Sequence, residues 1–137
     1  MTIRNATYHD APAIKLLLEA LGYKTSNSLL VHQLETLFGK NDHVVYVYEL
    51  HKEVVGFVSV HFLPQLAFDG GLAVITYLSA DDGGIAQALE RHVTEQARLK
   101  QCEKIQVHLL DWRVPAHQFY VQQGYTEYPK YFSKRLV

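Results

Sequence analysis

The sequence predicts one α/β domain over residues 1–137, with strands and helices in the order β-α-α-β-β-β-α-β-α-β. Uncharged runs rich in β-branched and aromatic residues alternate with stretches whose apolar residues recur every three or four positions. Glycines and short polar segments separate these runs, as expected for turns. The chain has 137 residues, 48% of them hydrophobic and 20% charged, so it is long enough for one sizeable core.

Residues 2–6 fit a short first strand, and two amphipathic helices follow it. Asp10 stands just before Pro12, a pattern typical of a helix N-cap with proline in the first turn. A polar link over residues 23–26 leads to the second helix, which Gly39 ends. The predicted buried faces of the two helices are leucine-rich and consist of Ile14, Leu17, Leu18, Leu21, Leu30, Leu34, Leu37 and Phe38.

The middle of the chain predicts a hairpin and then a strand, a glycine turn and a helix. Residues 44–48 and 54–62 are dense in strand formers and are separated by a polar turn. A loop over residues 64–71 leads to a fourth strand that begins at Leu72. The helix after Gly83 and Gly84 packs by one side, because its apolar residues recur every fourth position, at Ile85, Leu89, Val93 and Ala97.

The last third of the chain predicts a strand, a helix and a closing strand region. Residues 105–110 are expected to form the fifth strand, and residues 116–123 a short helix closed by Gly124. Residues 125–137, interrupted by Pro129, are expected to form one or two closing strands.

Two motifs, together with the order of elements, resemble the GNAT N-acetyltransferases. Their pyrophosphate-binding motif reads Gln or Arg, two residues, Gly, one residue, Gly or Ala. It falls on residues 81–86, where Gly84 and Ala86 match and Asp81 replaces the first residue. The second motif, F/L-Y-x-x-x-G-F/Y, falls on residues 119–125. The resemblance implies a mixed sheet whose fourth and fifth strands splay apart to admit acetyl-coenzyme A.

The resemblance also implies where the coenzyme is bound. The end of the fourth strand would offer an edge to the pantetheine arm, and the first amides of the following helix would bind the pyrophosphate, since glycines let a phosphate approach the backbone. The residues expected to contact the coenzyme are Tyr77, Leu78, Gly83, Gly84, Ile85, Ala86 and Gln87.

Tyr120 matches the tyrosine that, in this family, gives a proton to the departing coenzyme A thiolate. A phenol with a pKa of about 10 and a thiol with a pKa of about 8.5 are close enough for this transfer. The base that takes the proton from the amine is left open. Residues 71–74 contain no carboxylate, and Asp69 and His61 are the nearby candidates.

Family similarity places the acceptor amine beside the loop between the first two helices and the loop over residues 64–71. Tyr23, Phe68 and Asp69 in these loops suit a cationic amine. The predicted function is transfer of an acetyl group from acetyl-coenzyme A to a primary amine by direct attack. The acceptor is expected to be a small molecule or a peptide, and aminoglycosides, polyamines, amino acids and protein amino groups are all left open. The alternative is a GNAT-like binding or regulatory module without catalysis, which Asp81, Asp82 and the missing fourth-strand carboxylate favour.

Composition and charge restrict the classes of binding partner that we expect for this protein. A net charge of −1 gives no basic field for nucleic acid. No apolar run reaches the roughly 18 residues of a membrane span, and the start of the chain lacks the apolar centre of a signal peptide, so a cytoplasmic protein is expected. The histidines and Cys102 lack metal-ligand spacing, so no metal is expected. Many relatives pair as dimers, and a homodimer is left open.

Overall fold

The computed structural model describes residues 2–109, 114–128 and 132–137. The chain forms two compact units, Met1–Val107 and His108–Val137. The strands of the first unit are β1 (Thr2–Asn5), β2 (His43–Leu50), β3 (Glu53–Leu63), β4 (Leu72–Ala80) and β5 (Lys104–Val107). Its helices are α1 (Ala11–Ala20), α2 (Asn27–Phe38) and α3 (Gly83–Leu99), and the second unit contains α4 (Val114–Gln122).

The strands form one mixed sheet in the order β1-β2-β3-β4-β5, which confirms the predicted fold class. The first four strands are antiparallel, and β5 runs parallel to β4. The turn between β2 and β3 consists of His51 and Lys52, with φ angles of 51° and 65°. Two successive residues in the left-handed region suit the tight turn of a twisted hairpin.

The two faces of the sheet carry separate apolar clusters. One face packs against α1 and α2 and buries Val45, Val47 and Phe57 with the leucines of both helices. The other face packs against α3, and the predicted every-fourth-residue stripe is confirmed there: Ile85, Leu89, Val93 and Ala97 are all buried. Apolar burial of this extent is the main favourable contribution to folding.

A β-bulge in β4 coincides with the place where the sheet opens. Ser59 of β3 pairs with Tyr77, but the next residue, Val60, pairs with Ile75, so Thr76 is the extra residue. The ladder between β4 and β5 also ends at Ile75, where it meets Val107. Within the described chain, residues 77–80 of β4 are therefore paired with β3 alone and Thr76 with neither strand, in agreement with the expected parting of the fourth and fifth strands.

The expected N-cap at Asp10 is wrong. Asp10 has helical backbone angles, and its side chain makes no capping bond to α1. Its carboxylate instead accepts hydrogen bonds from the Arg4 guanidinium, at 2.8 and 2.9 Å, and from the Thr7 amide at 2.7 Å. The charged partner from β1 wins because a charge-assisted, two-pronged bond is stronger than a single cap.

The end of the chain departs from the sequence prediction. Strand β5 ends at Val107, residues 108–109 are not in a strand, and Leu110 lies outside the described residues. The closing strands are absent from residues 125–128 and 132–137, and residues 129–131 are again not described. Tyr128, Phe132 and Leu136 are each at least 85% exposed, so no apolar burial offsets the entropy of ordering them in a sheet.

Candidate active site

The start of α3 combines a capped helix end with open space. The Asp82 carboxylate accepts a hydrogen bond of 2.9 Å from the Ile85 amide. The amides of Gly83 and Gly84 belong to the first turn, where no intrahelical acceptor exists. A Cβ atom placed on Gly83 would meet nothing within 4 Å. The predicted phosphate-binding segment therefore presents bare backbone at Gly83, while the Ile85 amide is bonded to the Asp82 carboxylate and the Ala86 amide to the Asp82 carbonyl.

The open edge of β4 leads directly into this helix end. Tyr77 and Leu78 lie in residues 76–80, beyond the last residue paired with β5. Their side chains diverge: Leu78 packs with the α3-side cluster, whereas Tyr77 meets Tyr23 edge to face, with ring centroids 5.3 Å apart. Burial, with a contribution from Tyr23, raises the pKa of Tyr77. The structure thus brings a predicted coenzyme residue and a predicted acceptor residue into contact.

The other predicted acceptor residues lie in the segment between β3 and β4. Phe68 is half-buried and Asp69 is exposed. The Lys104 ammonium lies 5.4 Å from the centroid of the Phe68 ring. A ring that already faces a cation of the protein is a weaker partner for a cationic ligand than a ring with no such neighbour.

The sequence did not predict a polar cluster that joins the exposed Thr76 of the open edge to two buried residues, His43 and Ser59. His43 Nε2 and Ser59 Oγ are 2.8 Å apart, and both residues are buried. The Thr76 hydroxyl donates to Ser59 Oγ at 3.0 Å and to the Ser59 carbonyl at 3.1 Å. The His61 ring lies over His43, with centroids 4.3 Å apart. The available signal was Ser59 and His61 at alternate positions of an otherwise apolar strand.

The second unit shows why the motif around Tyr120 has its spacing. Tyr120 is buried in α4, and its ring meets Phe119 and Tyr125 edge to face, at 5.1 and 5.2 Å. Gly124 has a φ of 97°, which turns the chain back so that the Tyr125 amide donates to the Tyr120 carbonyl at 3.0 Å. A side chain at Gly124 would be strained in this conformation.

The rest of the described structure adds two observations. No helix among the described residues is long and apolar enough to cross a membrane. In the same part of the chain, no three His, Cys, Asp or Glu side chains gather as a metal site would require.

Sequence comparison identifies the family. Residues 11–125 match the profile of the acetyltransferase (GNAT) family. The chain belongs to the GNAT family. The matched range includes the open edge of β4, the glycine start of α3 and residues 119–125. No curated protein sequence is significantly similar to it.

Solved structures share the fold over nearly the whole GNAT chain. A transcriptional regulator from Bacillus halodurans C-125 is 22% identical with a TM-score of 0.89, covering 98% of this chain and 99% of its own. An aminoglycoside acetyltransferase from an uncultured soil metagenomic sample, in complex with sisomicin, is 23% identical with a TM-score of 0.81 and coverages of 99% and 96%. An acetyltransferase from Trypanosoma brucei is 19% identical with a TM-score of 0.78 and coverages of 98% and 99%. At these identities the likeness concerns the fold alone.

Proposed function

We propose that this GNAT protein is an N-acetyltransferase that uses acetyl-coenzyme A and a primary amine. The observation that carries the proposal is the continuity of two features along one segment: the open edge of β4 over residues 76–80 runs into the glycine start of α3. An extended chain of amides needs a strand edge, and a phosphate is favoured at first-turn amides. The coenzyme would lie along Tyr77 and Leu78, with its pyrophosphate at residues 83–87.

Acetyl-coenzyme A supplies a thioester, whose acetyl carbon bonds to the acceptor nitrogen as the carbon–sulfur bond breaks. Tyr120 is assigned the donation of its phenolic proton to the departing sulfur, which leaves a free thiol. The proton lost by the amine passes to a base, directly or through water, and His61 and Asp69 are the candidates. The match of Tyr120 to the family motif supports its role.

A cationic amine is the proposed acceptor class. Tyr23 stands at the head of the link between α1 and α2, and its ring contacts Tyr77 of the open strand. Aromatic faces attract ammonium groups, and Asp69 would add a negative charge. Phe68 completes the predicted set, although Lys104 faces its ring. The GNAT relative bound to sisomicin supports an amine-rich acceptor.

One observation favours a second function. In this alternative, the protein is a binding or regulatory module that has the GNAT fold but does not catalyse acetyl transfer. Asp82 occupies the Ile85 amide, and Asp81 adds another carboxylate where the family motif has Gln or Arg. A like charge about 6 Å from a phosphate costs about 0.7 kcal/mol in water-like surroundings and about 3 kcal/mol at an effective dielectric of 20. Coenzyme affinity therefore decides between the two functions.

The proposed function also implies a domain organisation, a cellular location and a set of partners. We infer one catalytic domain, because the matched residues 11–125 extend across both compact units. A cytoplasmic location and the absence of nucleic-acid, membrane and metal partners are proposed on the net charge of −1 and the absence of the corresponding sequence patterns. No metal takes part in the proposed reaction.

Calorimetric titration with acetyl-coenzyme A tests the proposal. The wild type is compared with Asp81→Arg and with Glu35→Arg, which makes the same charge change on the exposed side of α2. Micromolar binding by the wild type supports the enzyme and justifies an amine panel. Binding by Asp81→Arg alone favours the module. No binding by any of the three contradicts a coenzyme site at α3.

A further inference from the structure

Three side chains on neighbouring strands meet at the bulge of β4. His43 of β2 is 7% exposed and Ser59 of β3 is 6% exposed. The Ser59 hydroxyl bridges His43 Nε2, at 2.8 Å, and the Thr76 hydroxyl, at 3.0 Å. Polar side chains buried in a sheet are costly unless they are hydrogen-bonded. The chain of bonds therefore satisfies the two buried residues, His43 and Ser59, and ends at Thr76, which is exposed on the open edge of β4.

The geometry of the bulge shows what the bonds hold. Thr76 has no paired residue on β3, because Ser59 pairs with Tyr77 and Val60 pairs with Ile75. Its hydroxyl compensates by donating to the Ser59 carbonyl, at 3.1 Å, as well as to the Ser59 hydroxyl. The side chain of the extra residue is thus fastened to the backbone of the strand opposite. A bulge left without such a bond has a weaker local ladder.

His43 is the buried residue at one end of this chain of hydrogen bonds. The Thr76 hydroxyl has a single proton, which the Ser59 carbonyl, an acceptor only, and Ser59 Oγ share. Ser59 Oγ also lies 2.8 Å from His43 Nε2, which accepts or donates according to the imidazole tautomer, and His43 Nδ1 is buried without a hydrogen-bond partner among the described residues. The three side chains therefore form one chain of hydrogen bonds, which runs from Thr76 through Ser59 to His43.

The bulge coincides with the opening of the sheet. Pairing between β4 and β5 ends at Ile75, the residue before Thr76. A bulge bends its strand and increases the local twist, so the position of Thr76 sets the direction of residues 76–80. That segment is the edge to which the proposed coenzyme site belongs.

We propose that His43 and Ser59 are positioning residues, which hold Thr76 in the bulge and so keep the β4 edge in the shape that receives acetyl-coenzyme A. Neither side chain touches the reacting atoms in this assignment. The link to the coenzyme rests on the proposed function, whereas the link to the bulge does not. The two links can therefore be tested separately in the same set of variants.

Substitutions that remove or keep one hydroxyl group test this chain of hydrogen bonds. Thr76→Val removes the hydroxyl at nearly constant shape, Thr76→Ser keeps it, and Ser59→Ala removes the bridge. Thr94→Val is the matched control, because the Thr94 hydroxyl bonds Glu90 at 2.9 Å within α3. Calorimetry measures the Kd of acetyl-coenzyme A, and hydrogen–deuterium exchange measures the protection of the β4 amides. Circular dichroism shows whether each variant is folded.

We expect Thr76→Val and Ser59→Ala to raise the Kd about fivefold, the loss typical of one hydrogen bond, and to speed exchange at residues 76–80. Thr76→Ser and Thr94→Val should stay close to the wild type in both measurements. Wild-type Kd and exchange in folded Thr76→Val would overturn the inference. If the wild type itself binds no acetyl-coenzyme A, the proposed function fails, and faster exchange in Thr76→Val but not in Thr76→Ser still supports the positioning role.

Discussion

The carboxylate of Asp82 accepts a hydrogen bond of 2.9 Å from the Ile85 amide, within the segment that matches the pyrophosphate motif of the family. A capping side chain satisfies a first-turn amide, and a bound phosphate would compete for the same amide. Asp82 therefore stabilises α3 and opposes an anionic ligand at one position.

Two substitutions of Asp82 separate the cap from the charge. Asp82→Asn keeps a capping oxygen, so the free energy of unfolding should change little, whereas Asp82→Ala should lower it by about 1 kcal/mol. Both remove a negative charge, and calorimetry should show acetyl-coenzyme A bound between about threefold and a hundredfold more tightly. Unchanged affinity in both variants would mean that the pyrophosphate does not lie at this helix end.

The Arg4–Asp10 ion pair should contribute more to the free energy of unfolding than the Lys15–Glu19 pair, although both pairs are 2.8 Å long. Arg4 and Asp10 approach to 2.8 Å, as do Lys15 and Glu19, but Asp10 is only 6% exposed. Burial by itself raises the pKa of the Asp10 carboxyl, yet hydrogen bonds from Arg4 and from the Thr7 amide outweigh it and hold the pKa below its usual value. The stabilisation is therefore present at neutral pH and is lost as the pH falls through the lowered pKa.

Urea unfolding at pH 7.5 should distinguish the two ion pairs. Asp10→Asn should lower the free energy of unfolding by about 2 kcal/mol, because the buried carboxylate that accepts from Arg4 and from the Thr7 amide is lost and Glu49 alone remains as a charged partner of Arg4. Glu19→Gln, the control on the surface of α1, should cost less than about 0.5 kcal/mol. Equal losses in the two variants would contradict the role assigned to Asp10.

His43 should make the folded state sensitive to mild acid. Burial, together with the charge of His61, lowers the pKa of His43 from 6.5 to about 4, against the opposing effect of Asp42. The unfolded chain then takes up a proton at a higher pH than the folded chain. Stability is therefore complete above the unfolded pKa and falls as the pH drops from about 6.5 toward 4.

The expected loss from His43 between pH 7.5 and pH 5.5 is about 1 kcal/mol in the free energy of unfolding. Burial also lowers the pKa of His92, so the wild type is compared with His43→Gln, whose amide offers both a donor and an acceptor without titrating. The difference between the two proteins in urea unfolding isolates His43. The same pH dependence in both would show that His43 does not titrate between the folded and unfolded states in this way.

One local rule succeeds at Asp82 and fails at Asp10, and the contrast shows what the sequence can predict. Both aspartates precede a helix, but only Asp82 caps it. The difference arises from Arg4, which reaches Asp10 from β1 and also bonds Glu49, 45 residues away. The stripe along α3 could be predicted because its period depends on neighbouring residues alone.

The bulge at Thr76 had no signature in the sequence. Threonine in a run of strand formers is typical of a regular strand, and its bonds to Ser59 depend on the register between β3 and β4. The prediction of closing strands was wrong for the opposite reason. Residues 132–137 have a strand-like composition, but they are exposed and are not in a strand. A strand forms only where a neighbouring strand and a buried face are available.

Tyr120 should affect the chemical step more than coenzyme binding. Tyr120→Phe removes the proposed proton donor and keeps the ring that packs against Phe119 and Tyr125. With the best acceptor of an amine panel, kcat should fall about a hundredfold, within the range for a general acid, while the calorimetric Kd of acetyl-coenzyme A stays near that of the wild type. Tyr125→Phe, which removes the neighbouring hydroxyl, should leave kcat close to the wild-type value. If Tyr120→Phe keeps the wild-type kcat, the leaving thiolate takes its proton from another group, and Tyr120 serves the packing of the second unit alone.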